Sequence, residues 1–431
     1  MPISKTLTVE VQERDDSLIC LRTIVDLKTI KEFQLDYSAL GNKEPAEAGQ
    51  IIRSMPGGDW GAYVIGCLSV LQFAKKISVR GMNALINSSI PPGKGVASSA
   101  ALEVAAMNAI SRMYNLHLTE IELPILAQQV ENTVVGAACG LMDQLTVHLG
   151  QKNKLLPIIC QPSTVFKPIS IPRGVQFYGI DSDVRHAVGG ASYSEVRTAT
   201  FMAYTVVASL EQISANELFE SKHKNNFSSL PYGGYLANIP VSVFEGKYAA
   251  HLPENISGEE FLDKYKVSID TVTQVNRGIN YKLLSCARHP VYENFRVNLF
   301  YQLLQQFSKA ADKIKILQML GELMLQSHAS YSSVGLGNAA TDEIVEMVRQ
   351  CGCDSGVYGA RVTGGGSGGT IAVLCFGKEG RQSVKNIFDQ LKRRFKKKID
   401  LFSGSENGAF FLNQNINVKQ HEHHIEGESI F

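Results

Sequence analysis

The stretch PPGKGVASSAALEVA, Pro91 to Ala105, sets Gly93 and Gly95 on either side of Lys94, then two hydroxyls, Ser98 and Ser99, then a run of helix formers. Glycines at this spacing let a backbone approach a ligand closely. A helix start adds N–H groups at the positive end of a dipole, and together these make an anion site to which the hydroxyls add hydrogen bonds or a metal contact. The Walker pattern is not met, because no Gly-Lys-Ser/Thr follows at the right spacing. Read alone, the stretch also fits an ordinary turn before a helix. A second group is CGLMDQ, Cys139 to Gln144. Asp143, just after a glycine turn and amid apolar neighbours, is placed to be partly desolvated and to accept a proton. A capping or turn aspartate is the plainer alternative. Glu131, in the preceding helical run, either meets a cation or is solvated. The third group is TGGGSGGT, Thr363 to Thr370, with five glycines in six positions. So many glycines cost chain entropy that a hairpin does not need unless a backbone must come close to something, a wide surface loop being the alternative. Two Gly/Ser-rich loops with a buried-looking aspartate between them suit phosphoryl transfer, which needs phosphate positioning, charge neutralisation and a proton acceptor.

The elements that must hold these residues follow from periodicity. KTLTVEVQERDD alternates as a half-buried strand does, and ISVRGMNALINSSI is a second strand-like run that delivers the chain into Pro91. From Ser98 the alanine-rich SSAALEVAAMNAISRMY reads as a helix with a serine start signal. LPILAQQVENTVVG reads as another, closed near Gly136. VQFYGIDS is a buried strand, and ASYSEVRTATFMAYTVVASLEQI opens a long helix suited to begin a second domain. Residues 215–290 mix short helical runs, Gly pairs and aromatics without a readable order. YGARVTGGGSGGTIAVLCFG reads as two strands joined by the glycine loop, backed by a helix over RQSVKNIFDQLKRRF. Strands and helices mix without regular βαβ repeats, so the fold class is α+β.

The 431 residues suffice for two domains, and 44% hydrophobic with 19% charged residues is ordinary for a folded chain. A net charge of +1 argues against a general electrostatic grip on nucleic acid or an acidic membrane. The basic run LKRRFKKK reads as the cationic end of an amphipathic helix. Eight scattered cysteines without a paired metal spacing, and no export signal, read as a reducing cytoplasm. The tail histidines His421, His423 and His424 read as a mobile polar terminus that binds metal weakly if at all.

The three functional stretches, with ENTVVGAACGLMDQ leading into the second, resemble in order and approximate spacing three motifs of the galactokinase branch of the GHMP small-molecule kinases. WGAYVIG, Trp60 to Gly66, resembles that branch's segment near the adenine pocket, and IDSDVRHAVGGASYSEVR and ARHPVYENFRV look closest to the L-arabinokinase subgroup. The resemblance implies an N-terminal ribosomal-protein-S5-like domain over 1–185 and a C-terminal ferredoxin-like domain over 186–431. It implies an ATP- and Mg²⁺-dependent sugar 1-kinase acting on L-arabinose or D-galactose, as a monomer or weak homodimer. Gly93, Lys94, Gly95, Ser98 and Ser99 would hold ATP phosphates, with Ser98 and Glu131 at Mg²⁺. Asp143 would sit beside the sugar's anomeric hydroxyl as general base or electrostatic partner, Gly140 and Tyr193 would line the sugar pocket, Trp60 and Tyr63 would lie near the adenine, and Gly364, Gly365 and Gly366 would support the active site from the second domain. Two departures stand out. Ala97 occupies the place of the first hydroxyl of the family's G-L-S-S-S-A pattern. Nothing matches the family's N-terminal G-R-x-N-x-I-G-E-H-x-D-Y segment, and Met1 falls about where it would end. That leaves a truncated kinase, or a catalytically weak sugar- and ATP-binding sensor, as the alternative reading.

Overall fold

The computed structural model describes residues 1–25, 29–160, 163–185, 191–395 and 399–412, and the histidine-bearing tail and Lys396 to Lys398 of the basic run lie outside them. The chain divides into two compact units, Met1–Ile171 with the residues from Phe402 onward, and Pro172–Leu401. The break expected after residue 185 thus falls earlier, because the strand over Val175–Asp181 hydrogen-bonds along Thr370–Phe376 and belongs with the second unit's sheet.

The first unit is built on four strands, β1 (Leu7–Arg14), β2 (Leu18–Val25), β3 (Thr29–Asp36) and β4 (Gly81–Ser88), in the order β1-β4-β2-β3. β4 runs antiparallel to β1 and parallel to β2, while β2 and β3 form an antiparallel hairpin pair. Its buried face carries Ile19, Leu21, Phe33, Leu35, Met82, Ala84 and Ile86. Over that face lie α1 (Pro45–Ser54), α2 (Gly58–Lys75), α3 (Ser98–Met113), α4 (Glu122–Gln129) and α5 (Met142–Leu149). α2 buries residues around its whole circumference from Gly58 to Leu71, as a central helix must. Two glycines bring the chain after α4 tightly against α1 and α2. A Cβ on Gly49 would sit 2.3 Å from the Val134 carbonyl oxygen, and one on Gly66 2.6 Å from Val130 Cγ1.

In the second unit, β5 (Val175–Asp181), β6 (Val357–Val362), β7 (Thr370–Phe376) and β8 (Leu401–Phe402) order as β6-β7-β5-β8, with β7 antiparallel to both β6 and β5. The long helix α6 spans Ala191–Leu210, and the unreadable stretch after it resolves into α7 (Ala215–His223), several single turns and α8 (Gly258–Tyr265). α9 (Leu283–Gln306), α10 (Lys313–Val334), α11 (Ala339–Cys351) and α12 (Gly377–Phe395) complete the unit. α10 lies on β6 backbone to backbone, since a Cβ on Gly321 would be 2.0 Å from the Tyr358 carbonyl oxygen. α12 buries Val384, Ile387 and Leu391 and ends on Lys392, Arg393 and Arg394, the cationic helix end expected for the basic run. All eight cysteines are unpaired, and no helix among the described residues is long and apolar enough to cross a membrane.

Candidate active site

In the first unit, β4 leads into a turn in which Gly93, Gly95 and Ala97 all take left-handed φ values, 73°, 67° and 57°. Ala97 directly precedes α3 and has no side-chain acceptor to offer. Ser98 is therefore the first helical residue rather than the cap, contrary to the serine start signal read from the sequence. The Ala97 side chain makes no capping hydrogen bond to the first turn of α3. An alanine in this conformation costs about 1–2 kcal/mol. Strain of this kind gathers at ligand clamps. Lys94, Ser98 and Ser99 are half-buried along the same turn.

α4 does not stop at Gln129 but widens into a π-helical turn over Val130–Val135, closed by Gly136 at φ 78°. Such turns are rare and recur at functional sites. This one carries Glu131 inward, where only 2% of it is exposed. One helical turn after Ser99, Glu103 of α3 is fully buried, and so is Gln144 in the first turn of α5. The Gln144 side-chain amide donates from Nε2 to Glu131 Oε2 at 2.8 Å and to Glu103 Oε2 at 3.0 Å. Glu103 Oε1, Glu131 Oε1 and Gln144 Oε1 are buried with no hydrogen-bond partner among the described residues.

Burial is the main force on both acids. It pushes the Glu103 carboxyl well above the usual range, and the neighbouring charges of Glu131 and Asp143 add to it. Glu131 is also raised, by burial first and by Asp143, while hydrogen bonds from Cys139, Ser99 and Gln144 pull the other way. Asp143, half-buried in the first turn of α5, is thus electrostatically coupled to both. Gly140 lies just before it with nothing within 4 Å of the place its Cβ would take. Tyr63, on α2, faces this cluster: burial, then the charges of Glu131 and Glu103, raise its hydroxyl pKa. Trp60, one turn earlier, packs edge-on to Phe33 of β3 with ring centroids 6.3 Å apart.

Buried oxygens with unused lone pairs are hard-cation chemistry, and the Glu131 carboxylate beside the Ser99 hydroxyl fits a Mg²⁺ ion. Among the described residues no three His, Cys, Asp or Glu side chains converge as a ready-made metal cage.

The second unit supplies the glycine loop and Tyr193. The loop joins β6 to β7, and its close approaches are to the unit's own backbone. A Cβ on Gly366 (φ 78°) would sit 2.7 Å from the Leu336 carbonyl oxygen, and the Gly369 amide donates to the Val184 carbonyl at 2.9 Å. Gly364 accepts from the Tyr331 hydroxyl at 3.0 Å, while the space around its own Cβ position is open. The Tyr331 ring is in turn flanked by the Arg361 guanidinium at 5.3 Å and edge-on by His289 at 4.9 Å. Gly365 is half-buried beside Gly364, and Tyr193 is half-buried near the start of α6. The structure thus brings Tyr63, Ser99, Glu131 and Asp143 together in one unit and holds the glycine loop and Tyr193 in the other.

Residues 62–151 match the model of the GHMP kinases N-terminal domain, and residues 310–397 match that of the GHMP kinases C-terminal domain. The two matches stand in the order N-terminal then C-terminal domain along the chain. Among curated relatives, L-arabinokinase of Arabidopsis thaliana is 38% identical over 405 residues. That match covers 88% of this chain but only 38% of the relative, so the chain spans well under half of that protein. A galactokinase of Chloroflexus aggregans is 28% identical over 382 residues, covering 87% of this chain and 77% of its own length. The crystal structure of Lactococcus lactis galactokinase complexed with galactose superposes with a TM-score of 0.64 at 21% identity, over 94% of this chain and 87% of that one. That likeness establishes the two-domain GHMP kinase fold.

The sequence reading passes over Glu103 and Gln144, although both lie inside the stretches it quotes. The available signal was a lone acid in an otherwise apolar helix, four residues after Ser99, and an amide directly after Asp143.

Proposed function

We propose that this protein is a GHMP-type kinase that transfers the γ-phosphoryl group of ATP to the anomeric hydroxyl of a monosaccharide, L-arabinose or D-galactose, releasing ADP and the sugar 1-phosphate. The observation that carries the reading is the convergence, from three separate elements, of Ser99, Glu131 and Asp143 around one buried cluster. The names of the relatives supply the sugar class, and the 38% identical relative tilts the acceptor towards L-arabinose.

In this reading the uncapped start of α3 and the Gly93–Ser99 turn hold the phosphates through backbone N–H groups, with Lys94 adding charge. Ser98 and Glu131 would hold Mg²⁺, which when bound would supply positive charge against the phosphates. Asp143 accepts the proton of the anomeric hydroxyl as that oxygen forms its bond to the γ-phosphorus and the bond to the bridging oxygen of ADP breaks. Gly140, with open space at its Cβ position, leaves room for the ring, and Tyr193 is assigned to sugar binding. Trp60 and Tyr63 are assigned to the adenine, and Gly364 to Gly366 to nucleotide binding. The eight unpaired cysteines support a cytoplasmic location.

ADP release is measured with each sugar in the presence of ATP and Mg²⁺, and the reading expects turnover that prefers L-arabinose. The two sugars differ by one hydroxymethyl group, and a pocket discriminates such a difference by roughly 10–200-fold. Asp143→Asn is expected to lower kcat by at least about 100-fold while nucleotide binding stays near wild type. Unchanged turnover in that variant would remove Asp143 from the chemistry, and no turnover of either sugar by the wild type would sink the reading.

A further inference from the structure

Gln144 sits where three elements meet. Its side chain is fully buried, it belongs to the first turn of α5, and both protons of its one amide nitrogen are committed, one to Glu103 on α3 and one to Glu131 on the π-helical turn. The amide orientation follows from chemistry: only an N–H₂ can satisfy two carboxylate oxygens at once. Each acid is held through its Oε2 by the amide, and Ser99 and Cys139 also approach the Glu131 carboxyl. A ligand held this way does not have to be reoriented when a cation arrives. The same side chain is covalently next to Asp143, so the position of the proton acceptor and that of Glu131 are fixed through one residue.

We propose that Gln144 is a positioning residue: by clamping Glu131 against Glu103 it fixes the Glu131 carboxylate for the cation that accompanies the nucleotide. The inference rests on the kinase reading above. Gln144 itself touches no substrate and donates no proton to the reaction. Its effect reaches the reaction through the Glu131 carboxylate, which without it would lose the contact that fixes Oε2. Glu103 is the anchor on the far side of the clamp, and its role needs an acceptor oxygen rather than a charge.

The test titrates Mn²⁺ against the full chain in the presence of ADP, following the free Mn²⁺ signal by electron paramagnetic resonance, for the wild type, Gln144→Met and Glu103→Gln. Methionine keeps the volume and removes both donors, and glutamine at 103 keeps an acceptor. Partners that orient metal ligands are worth about 10–100-fold in metal affinity, so Gln144→Met is expected to weaken Mn²⁺ binding by that factor. The Mg²⁺ needed for half-maximal turnover should rise in parallel, with the KM for sugar little changed. Glu103→Gln is expected to stay nearer the wild type. Wild-type Mn²⁺ affinity in folded Gln144→Met overturns the inference. So does an equal loss in Glu103→Gln, which would make buried charge rather than the clamp the determinant. If Gln144→Met fails to fold, the double variant Glu103→Gln/Gln144→Met, relieved of one buried acid, carries the same comparison against Glu103→Gln. A wild type that binds no Mn²⁺ with ADP overturns the kinase reading and this inference together. A wild type that binds Mn²⁺ and turns over beside an unaffected Gln144→Met overturns the inference alone.

Discussion

Ala97 holds a Cβ at φ 57°, where glycine is at ease and alanine is not, and it does so at the last position before α3. The strain of about 1–2 kcal/mol is partly offset by alanine's smaller loss of chain freedom on folding, about 0.5–1 kcal/mol relative to glycine. Ala97→Gly is therefore expected to stabilise the chain by about 0.5–1 kcal/mol, read as a higher urea midpoint. A lower midpoint would mean that the alanine methyl makes packing contacts worth more than the strain. The same position explains how a chain departing from the family's three-hydroxyl pattern still builds the turn. The left-handed backbone at 97 does not depend on a hydroxyl there, and two hydroxyls remain on the helix. At this scale the sequence was informative about what each residue is and silent about what surrounds it. Glu131 could be read equally as a cation ligand or a solvated acid, because only burial on the π-helical turn distinguishes the two. Glu103 and Gln144 stayed hidden for the same reason.

The strand–loop–strand element of the second unit separates two glycines that look identical in sequence. Gly364 has open space at its Cβ position and needs only its φ of 59°, whereas Gly366 is pressed against the Leu336 carbonyl and the Tyr331 ring. Gly364→Ala should cost about 0.5–1 kcal/mol, the net of left-handed strain and alanine's smaller loss of chain freedom. Gly366→Ala adds a backbone clash at 2.7 Å that the loop cannot relieve by a rotamer change. It is expected to be the more destabilising by at least about 2 kcal/mol in denaturant unfolding. Equal effects would show that the loop shifts freely away from Leu336. Elements whose own period decides them were legible: the alternating β1, the alanine-rich α3, and the two strands flanking the glycines. The β2–β3 pair was not singled out. Its outer face carries Ile24 and Ile30, 39% and 56% exposed, and these break the polar alternation that marked β1. The π-helical turn was invisible because five- and four-residue hydrogen bonding share nearly the same side-chain pattern.

On the scale of the whole molecule, the chain does not run through one unit and then the other. After the second unit it returns, and residues 405–410 settle on the end of α5. The Lys152 amide donates to Asn407 Oδ1 at 2.9 Å, the Asn153 amide donates to Ser405 Oγ at 3.1 Å, and Phe410 lies edge-on to His148 with ring centroids 5.7 Å apart. No local period announces such a return, so a break at one sequence position could not describe it. His148 is the titratable group at this closure. It is 3% exposed, its Nδ1 has no partner among the described residues, and burial lowers its pKa from 6.5 to about 4. Protons therefore bind the unfolded chain first as pH falls. The stability that the neutral ring contributes is complete above pH 6.5 and is lost progressively as pH drops towards 4. A shift of that size corresponds to about 3 kcal/mol, most of it gone by about pH 4.5. His148→Phe keeps an aromatic partner for Phe410 and has nothing to titrate. Its unfolding free energy should therefore fall less between about pH 7 and pH 4.5 than that of the wild type, by about 2–3 kcal/mol in denaturant titrations at the two pH values. Equal losses in the two proteins would mean that His148 takes up its proton without unfolding the closure, through a local opening of the returning segment.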